Sequence, residues 1–592
     1  MNPREKPVIR AQDDLLEYYR RELAYLRTQS ADFAARYPKV AHRLVLTGDE
    51  AADPHTEHLI QSVAFLNARV HRELERDFPT VAVAMLDNLC PSLTQPVPAM
   101  TVMQMTLDPS EGKVTAGMPV KRGAMLSTTA ETGEQCRFQV GWDTTLWPLR
   151  ISAILQEDPR TVRLDLQCDG GIDVAELELD TLRLHLSGDL LTTMPLHELL
   201  ISALEYIEVA GSGGVHRMAA RHLADAGFAE DQAMLARPAH VHPAYCLLQE
   251  YFAFPRKFQF FDLSGLRGRL GRGGGFSIRL VFTHSSAVLS QLRPENVLLG
   301  CVPALNLFPV TSEPIVLDRR HYEYLLIPDR RRDAVLEVHS IVSVSAADPR
   351  GERGLEIPSA FAEAENATSG AEVCWTMRRE ASLRKGISGS DVYLGFVDRS
   401  DVRAELPEHV VYASLLCTNR LLAEQVVPGT RFWGEGVAAS TVVRAVYQPS
   451  AQRQPALGND ALWALVALLR LNHRSLTDGT NGAATLRDML SLFAGSSARD
   501  QLQVRGIKRL HAQPGAARLG SDSWRGHCRG TDVTLEFDAA AFDGTSPLVL
   551  AGVLARFFAL YTTANSFVRL SVLRSGETWK QWPAMAGRQC LT

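Results

Sequence analysis

The 592-residue chain sets 62 Lys and Arg against 67 Asp and Glu, a net charge of -5, so no whole-chain positive field draws nucleic acid or acidic lipid. Hydrophobic residues are 46% and charged residues 22%, the composition of an ordinary globular protein, and the length calls for roughly three to four domains. The nine cysteines are odd in number, scattered and mostly set in apolar runs, which fits reduced core thiols in a cytoplasm rather than a disulfide framework.

The first residues, MNPREKPVIRAQDD, are polar and charged and lack the apolar core of a signal peptide. Residues 13 to 90 read as helical. Leu15, Tyr19, Leu23, Leu26, Phe33 and Tyr37 form one stripe, with Arg20, Arg21, Glu22 and Arg27 mostly elsewhere. Tyr18 and Tyr25, seven apart, add a second apolar strip, more surface than one packing partner covers. Leu15, Tyr18, Tyr19, Leu23, Tyr25 and Leu26 are therefore the candidate partner interface.

Asp53-Pro54 opens a second helix, with an aspartate to cap free amides and a proline at the first position. Its expected buried face is Leu59, Val63, Leu66, Val70 and Leu74, up to a break at Phe78-Pro79, and a third helix runs from about Val81 to Leu89. Prolines 91, 96 and 98 then close an N-terminal helical module, 1–95.

From Met100 the period changes to two, and TVMQMTLD, CRFQVGW, LWPLRISAIL, TVRLDLQC and TLRLHLSGD read as strands of a β-rich central domain, 96–345. Within it lies PAYCLLQEYFAFPRKFQFFDL, Pro243 to Leu263, with seven aromatics between Tyr245 and Phe261. Helical spacing up to Ala253 gives way, at Pro255, to a buried strand around Phe260. This is core, and the chain is organised around it. The loop GLRGRLGRGGG, Gly265 to Gly275, matches neither the dinucleotide fingerprint nor the P-loop and reads as a flexible connection.

A polar stretch near 346 to 371 opens a second β-rich domain, 346–448, with SDVYLGFVD and VVYASLLCTNRLL as probable strands. The C-terminal α+β module, 449–592, follows: helices at Leu462 to Leu471 and Leu486 to Phe493, strands LQVRGI, TDVTLEFD and VRLSVL, and a long helix capped by Ser546 and started by Pro547. Arg556 interrupts the apolar run Leu548 to Phe567, leaving pieces shorter than the roughly eighteen residues a membrane span needs, so the cytoplasm is the expected location.

The residues offer no specified catalytic chemistry. Gly386-Ile387-Ser388-Gly389-Ser390 lacks the last glycine of a nucleophile elbow and reads as a turn. His197-Glu198 lacks the second histidine of a zinc helix, and His55 and His58 around Glu57 have no third ligand nearby. No Cys-x-x-Cys occurs. The expectation is no catalytic residue, no metal and no cofactor, and an assembly component rather than an enzyme; a cytoplasmic enzyme with an unrecognised site is the alternative of another class.

A series of blocks resembles the TssF family, also called ImpG or VasA, the baseplate wedge subunit of the bacterial type VI secretion system. They are YYRRELAYLRTQSADFAARYPKVAHRL (18–44), DPHTEHLIQSVAFLNARVHRELERDFP (53–79), CRFQVGWDTTLWPL (136–149), LLQEYFAFPRKFQFFDL (247–263), PALNLF (303–308), LLCTNRLL (415–422) and GVLARFFALYTTANSF (552–567). WALVALLRLN, 463–472, departs from the family's more polar version. The resemblance implies a multidomain α+β fold similar to the baseplate wedge proteins of contractile phage tails. It also implies association with TssG, TssK, TssE and a second TssF copy around the VgrG spike, as the platform for the Hcp tube and the sheath. A wedge protein of a phage tail or other contractile injection system is the nearest alternative.

Overall fold

Met100–Leu107 (β1), Met125–Thr129 (β2), Gln135–Val140 (β3), Arg431–Glu435 (β5) and Thr441–Ala445 (β6) each turn apolar side chains to one face, while Cys301–Leu305 (β4) is apolar and buried throughout. In the computed structural model these six close a barrel in the order β1-β4-β3-β2-β5-β6. The structure describes residues 11–43, 54–130, 133–236, 241–318, 320–346, 355–360, 373–398, 410–438, 440–455, 457, 459–469, 482–495, 497–518, 527–542, 544–563, 566–574 and 576–587. Inward-facing Leu126, Phe138, Phe432 and Val443 fill the barrel, with Phe138 edge-on to Phe432 at 5.6 Å between ring centroids. The barrel thus joins strands on both sides of residue 346.

Between β3 and β4 the chain builds a sandwich. A five-stranded antiparallel sheet, ordered Gly214–Ala219, Leu204–Gly211, Gly275–Phe282, Thr161–Cys168 and Leu149–Asp158, faces a four-stranded one, ordered Leu223–Ala226, Phe260–Leu263, Leu182–Leu186 and Val297–Leu298. One shared apolar core lies between them. After β4, strands Phe308–Thr311, Val410–Thr418, Glu337–Ala346 and Leu355–Ile357 form a further sheet, packed on a small one containing Val373–Ala381 and Ser390–Asp398.

Among the described residues the α-helices are α1 (Ala11–Arg36), α2 (Pro38–Arg43), α3 (Pro54–Leu89), α4 (Leu190–Ser202), α5 (Pro243–Ala253), α6 (Asn459–Leu469), α7 (Gly482–Ala494), α8 (Ala498–Arg505) and α9 (Pro547–Tyr561). α9 links strand His527–Phe537 to Phe567–Arg574, which pair in parallel within the C-terminal sheet. The Ser546 hydroxyl accepts the Leu548 N–H at 3.2 Å, capping α9 as its sequence requires.

Two expectations about elements are corrected. There is no break at Phe78-Pro79: α3 is one 36-residue helix through Pro79. A proline removes a single helical hydrogen bond. Both flanks are held, by α1 beside Ala64 and Ala68 and by the C-terminal module at Leu86 and Cys90. The segment LQVRGI is not a strand but the end of α8, which Ser497 caps by accepting the Asp500 N–H at 3.3 Å. The strand starts only at Ile507, after Gly506.

Gly265 to Gly275 is also better anchored than a flexible connection. Leu266 and Leu270 are buried, Asp180 and Asp173 accept the Arg267 and Gly273 amides, and the Ser212 hydroxyl exchanges hydrogen bonds with Arg272. Two carboxylates from the segment Asp173 to Asp180 already accept amides of this loop, in place of an outside anion.

Candidate assembly surface

The N-terminal helices pair through charge and small residues. The Arg27 guanidinium meets Glu57 at 2.6 Å and His71 lies 2.9 Å from the buried Glu22, so rising numbers on α1 meet falling numbers on α3 and the pair is antiparallel. Between these contacts Ala64 and Ala68 are fully buried, which allows close approach of the two backbones.

The face expected to be buried is turned outward. Leu59, Val63, Leu66 and Val70 are 66%, 40%, 57% and 56% exposed, and Phe65 beside them is 44% exposed. The side chain of Leu74 lies outside the described residues. The apolar stripe is real, but among the described residues it stays exposed; Ala64 and Ala68 serve the internal contact instead. On α1, Leu15, Tyr18, Tyr19, Leu23 and Leu26 are half-buried and Tyr25 is 59% exposed. Phe33 and Tyr37, their rings tilted to each other with centroids 5.3 Å apart, are exposed at the far end.

At the other end of α3 the aromatic stretch ties the modules together. α5 runs to Ala253, a single 3-10 turn Pro255–Phe258 reverses the chain, and Phe260–Leu263 enters the sandwich. Gln249 donates to the Ser92 carbonyl at the end of the helical module, and the Tyr251 hydroxyl donates to Gln503 of α8 at 2.9 Å. Phe260 stacks edge-on against Trp142 at 5.2 Å on the barrel side. Glu250, fully buried, accepts the Met234 and Leu235 amides at 2.7 and 2.8 Å and is ion-paired with fully buried Lys257. Sequence reasoning missed this pair. Its only sequence signal is that both charges lie within an aromatic-rich window that also holds Arg256 and Asp262.

A second buried polar joint connects two of the quoted blocks. Asn306, leaving β4, donates to the Asn419 side chain at 2.8 Å and accepts the Asn419 N–H at 2.6 Å, while Asn419 accepts the Arg137 N–H of β3 at 2.9 Å. Both asparagines are fully buried. They couple the barrel to the sheet around Val410–Thr418.

The catalytic candidates fall into structural roles. Ser388 and Ser390 lie in and beside the turn between two paired strands; Ser388 gives its carbonyl to Arg420, and Ser390 donates to buried Glu337 at 2.7 Å. His197 is buried against Phe261, 5.2 Å away, and burial holds its pKa down at about 4. His55 and His58 stand exposed on the first turns of α3. Among the described residues no three His, Cys, Asp or Glu side chains gather as a metal site. Burial pushes the Cys90 thiol up to about 11 and the Cys136 and Cys417 thiols up to about 12, so these cysteines are core packing rather than nucleophiles. No described helix is long and apolar enough to cross a membrane.

A multidomain α+β body knitted by buried polar joints, carrying a long helical arm with an apolar row on its outside, is the build of a structural subunit of a larger assembly. The family model "Type VI secretion system, TssF" matches residues 11–589. A relative described as type VI secretion system component TssF1, from Pseudomonas aeruginosa, is 33% identical over 627 aligned residues covering 99% of each chain. In fold the chain is similar to a chain of the type VI secretion system TssK-TssF-TssG baseplate subcomplex solved by cryo-electron microscopy, with a TM-score of 0.73 and 22% identity over 89% of this chain and 98% of that one. It is also similar to a chain of a type VI secretion baseplate complex, with a TM-score of 0.57 and 20% identity over 98% of this chain and 100% of that one. The chain belongs to the TssF family and is a structural component of the type VI secretion system.

Proposed function

We propose that this chain is a wedge subunit of the type VI secretion baseplate and that its α1–α3 arm binds TssG in the cytoplasm. The observation that carries the reading is the outward row Leu59, Val63, Leu66 and Val70, at i, i+4, i+7 and i+11 on one helix face. On α1, half-buried Leu15, Tyr18, Tyr19, Leu23 and Leu26 and exposed Tyr25 are the second contact proposed for the same arm. An apolar helix row of this spacing fits a partner helix laid alongside, which is how a helical bundle is shared between subunits. In this reading TssK, TssE and a second TssF copy complete the wedge, and wedges surround VgrG beneath the Hcp tube, docked at the inner face of the cytoplasmic membrane through partners. The role is mechanical, without a catalytic step.

The test is co-expression with the TssG and TssK subunits. Leu59→Asp with Leu66→Asp, and separately Tyr18→Asp with Tyr25→Asp, are expected to abolish co-purification of TssG while the chain keeps its wild-type unfolding midpoint. Full retention of TssG by both variants sinks the arm as the binding surface.

A further inference from the structure

The outer wall of the barrel carries two like charges face to face. Arg431 on β5 and Arg444 on β6 are direct cross-strand partners, and both are exposed because their neighbours Phe432 and Val443 point into the barrel. Like charges in this position destabilise a strand pair. No ion pair relieves either guanidinium among the described residues. Gln104 of β1 opposite Arg444 and Ser127 of β2 opposite Trp433 are neutral, and exposed Glu435 carries a carboxylate on the same face of β5, four residues beyond Arg431.

Trp433, two residues beyond Arg431 on the same face, is 60% exposed. Val427, 59% exposed, sits in the turn that opens β5, where its carbonyl accepts the Thr430 N–H at 3.2 Å. A large indole in water on the same strand face as an unneutralised guanidinium pair combines the residue types, Trp and Arg, that dominate interface hot spots. The guanidinium fork matches a carboxylate in two parallel hydrogen bonds.

We propose that this barrel face docks an acidic segment of a companion subunit. One or two carboxylates sit between Arg431 and Arg444, and an apolar side chain of the same segment lies on Trp433. The charge requirement selects the occupant. A second copy docked through the same face would bring four guanidiniums together, so the two-fold self-contact is unfavourable.

The proposal rests on the assembly role above, and the test keeps the two apart. The full chain, with Trp433 replaced by a photo-crosslinking amino acid, is co-expressed with the TssG and TssK subunits, and the crosslinked peptide is mapped by mass spectrometry. The expected product joins position 433 to an Asp- or Glu-bearing segment of a companion. Its yield should fall about tenfold on Arg431→Glu with Arg444→Glu, as expected for loss of a hot-spot pair, and fall with rising salt in the unreversed chain. Arg431→Glu alone converts the repulsive pair to an attractive one, so the isolated chain should gain thermal stability while the crosslink weakens. A crosslink to a second copy, or to a segment without carboxylates, overturns the proposal. So does a yield indifferent to charge reversal, or no crosslink in a complex that otherwise co-purifies. If the unsubstituted chain retains no companion at all, the assembly reading itself falls and takes this one with it.

Discussion

Glu250 in α5 and Lys257 in the turn that follows it are seven residues apart, and they are the two fully buried opposite charges at the centre of the aromatic stretch. Glu250 also satisfies two amides of the segment at Met234 and Leu235, so it cannot be left without its cation at low cost. Lys257→Met should therefore destabilise the protein by about 3–5 kcal/mol, the usual penalty for an uncompensated buried charge. Replacing both partners, Glu250→Gln with Lys257→Met, should recover part of the loss in chemical denaturation. The buried histidines give a pH signature with a definite sign. Burial holds His185 and His339 at about 3 and His197 at about 4, against 6.5 for the free side chain. Below about pH 6.5 the unfolded chain takes up protons that the folded chain refuses, so stability falls as pH falls from 6.5 towards 4. The slope is about 1.4 kcal/mol per pH unit for each histidine, and His197→Leu should remove one such contribution from the stability curve measured between those limits. The aromatic content of this stretch could be read from its residue types. The pairing of Glu250 with Lys257 could not, because a charge in an aromatic-rich window does not announce which neighbour neutralises it.

At the scale of the element, α3 shows why an apolar stripe predicts burial without saying against what. Periodicity located Leu59, Val63, Leu66 and Val70 on one helix face correctly, yet α1 packs on the alanine face, where two backbones approach most closely. The choice follows from pairing Glu57 and Glu22 with Arg27 and His71, which the sequence of either helix alone does not fix. Ala68→Leu puts a large side chain into this fully buried contact and should destabilise the arm by about 1–3 kcal/mol. Hydrogen exchange should then rise in α1 and the first half of α3 and stay unchanged in the barrel. The opposite fault appears at Leu502 to Ile507. There the alternation Leu-Gln-Val-Arg imitates a strand over four residues, but the Ser497 cap and the Gly506 terminus specify one short helix.

For the whole molecule, the strands were readable one at a time while their closure was not. β1 lies next to β6 across more than three hundred residues, and such pairing is set by tertiary packing that leaves no local pattern. Arg453 shows how the resulting body is tied to the C-terminal module. Its backbone exchanges two hydrogen bonds with Val97, its guanidinium donates to the Phe252 carbonyl of α5, and it is ion-paired with Asp500 of α8 at 2.8 Å. One residue therefore joins the segment leading into the barrel, through its backbone, to the aromatic hub and the C-terminal helices, through its side chain. Arg453→Met keeps the apolar stem and removes the fork. The loss should be about 1–3 kcal/mol of coupling, from unpaired Asp500 and an orphaned carbonyl, rather than collapse of any single core. If the cores then unfold separately, calorimetry should resolve an early C-terminal transition from the main one, whereas the unsubstituted chain should melt the two together. A single, merely lowered transition would place the coupling in the apolar contacts between α5, α7 and α9 instead, and would show that the charged joint only sharpens an interface that packing already holds.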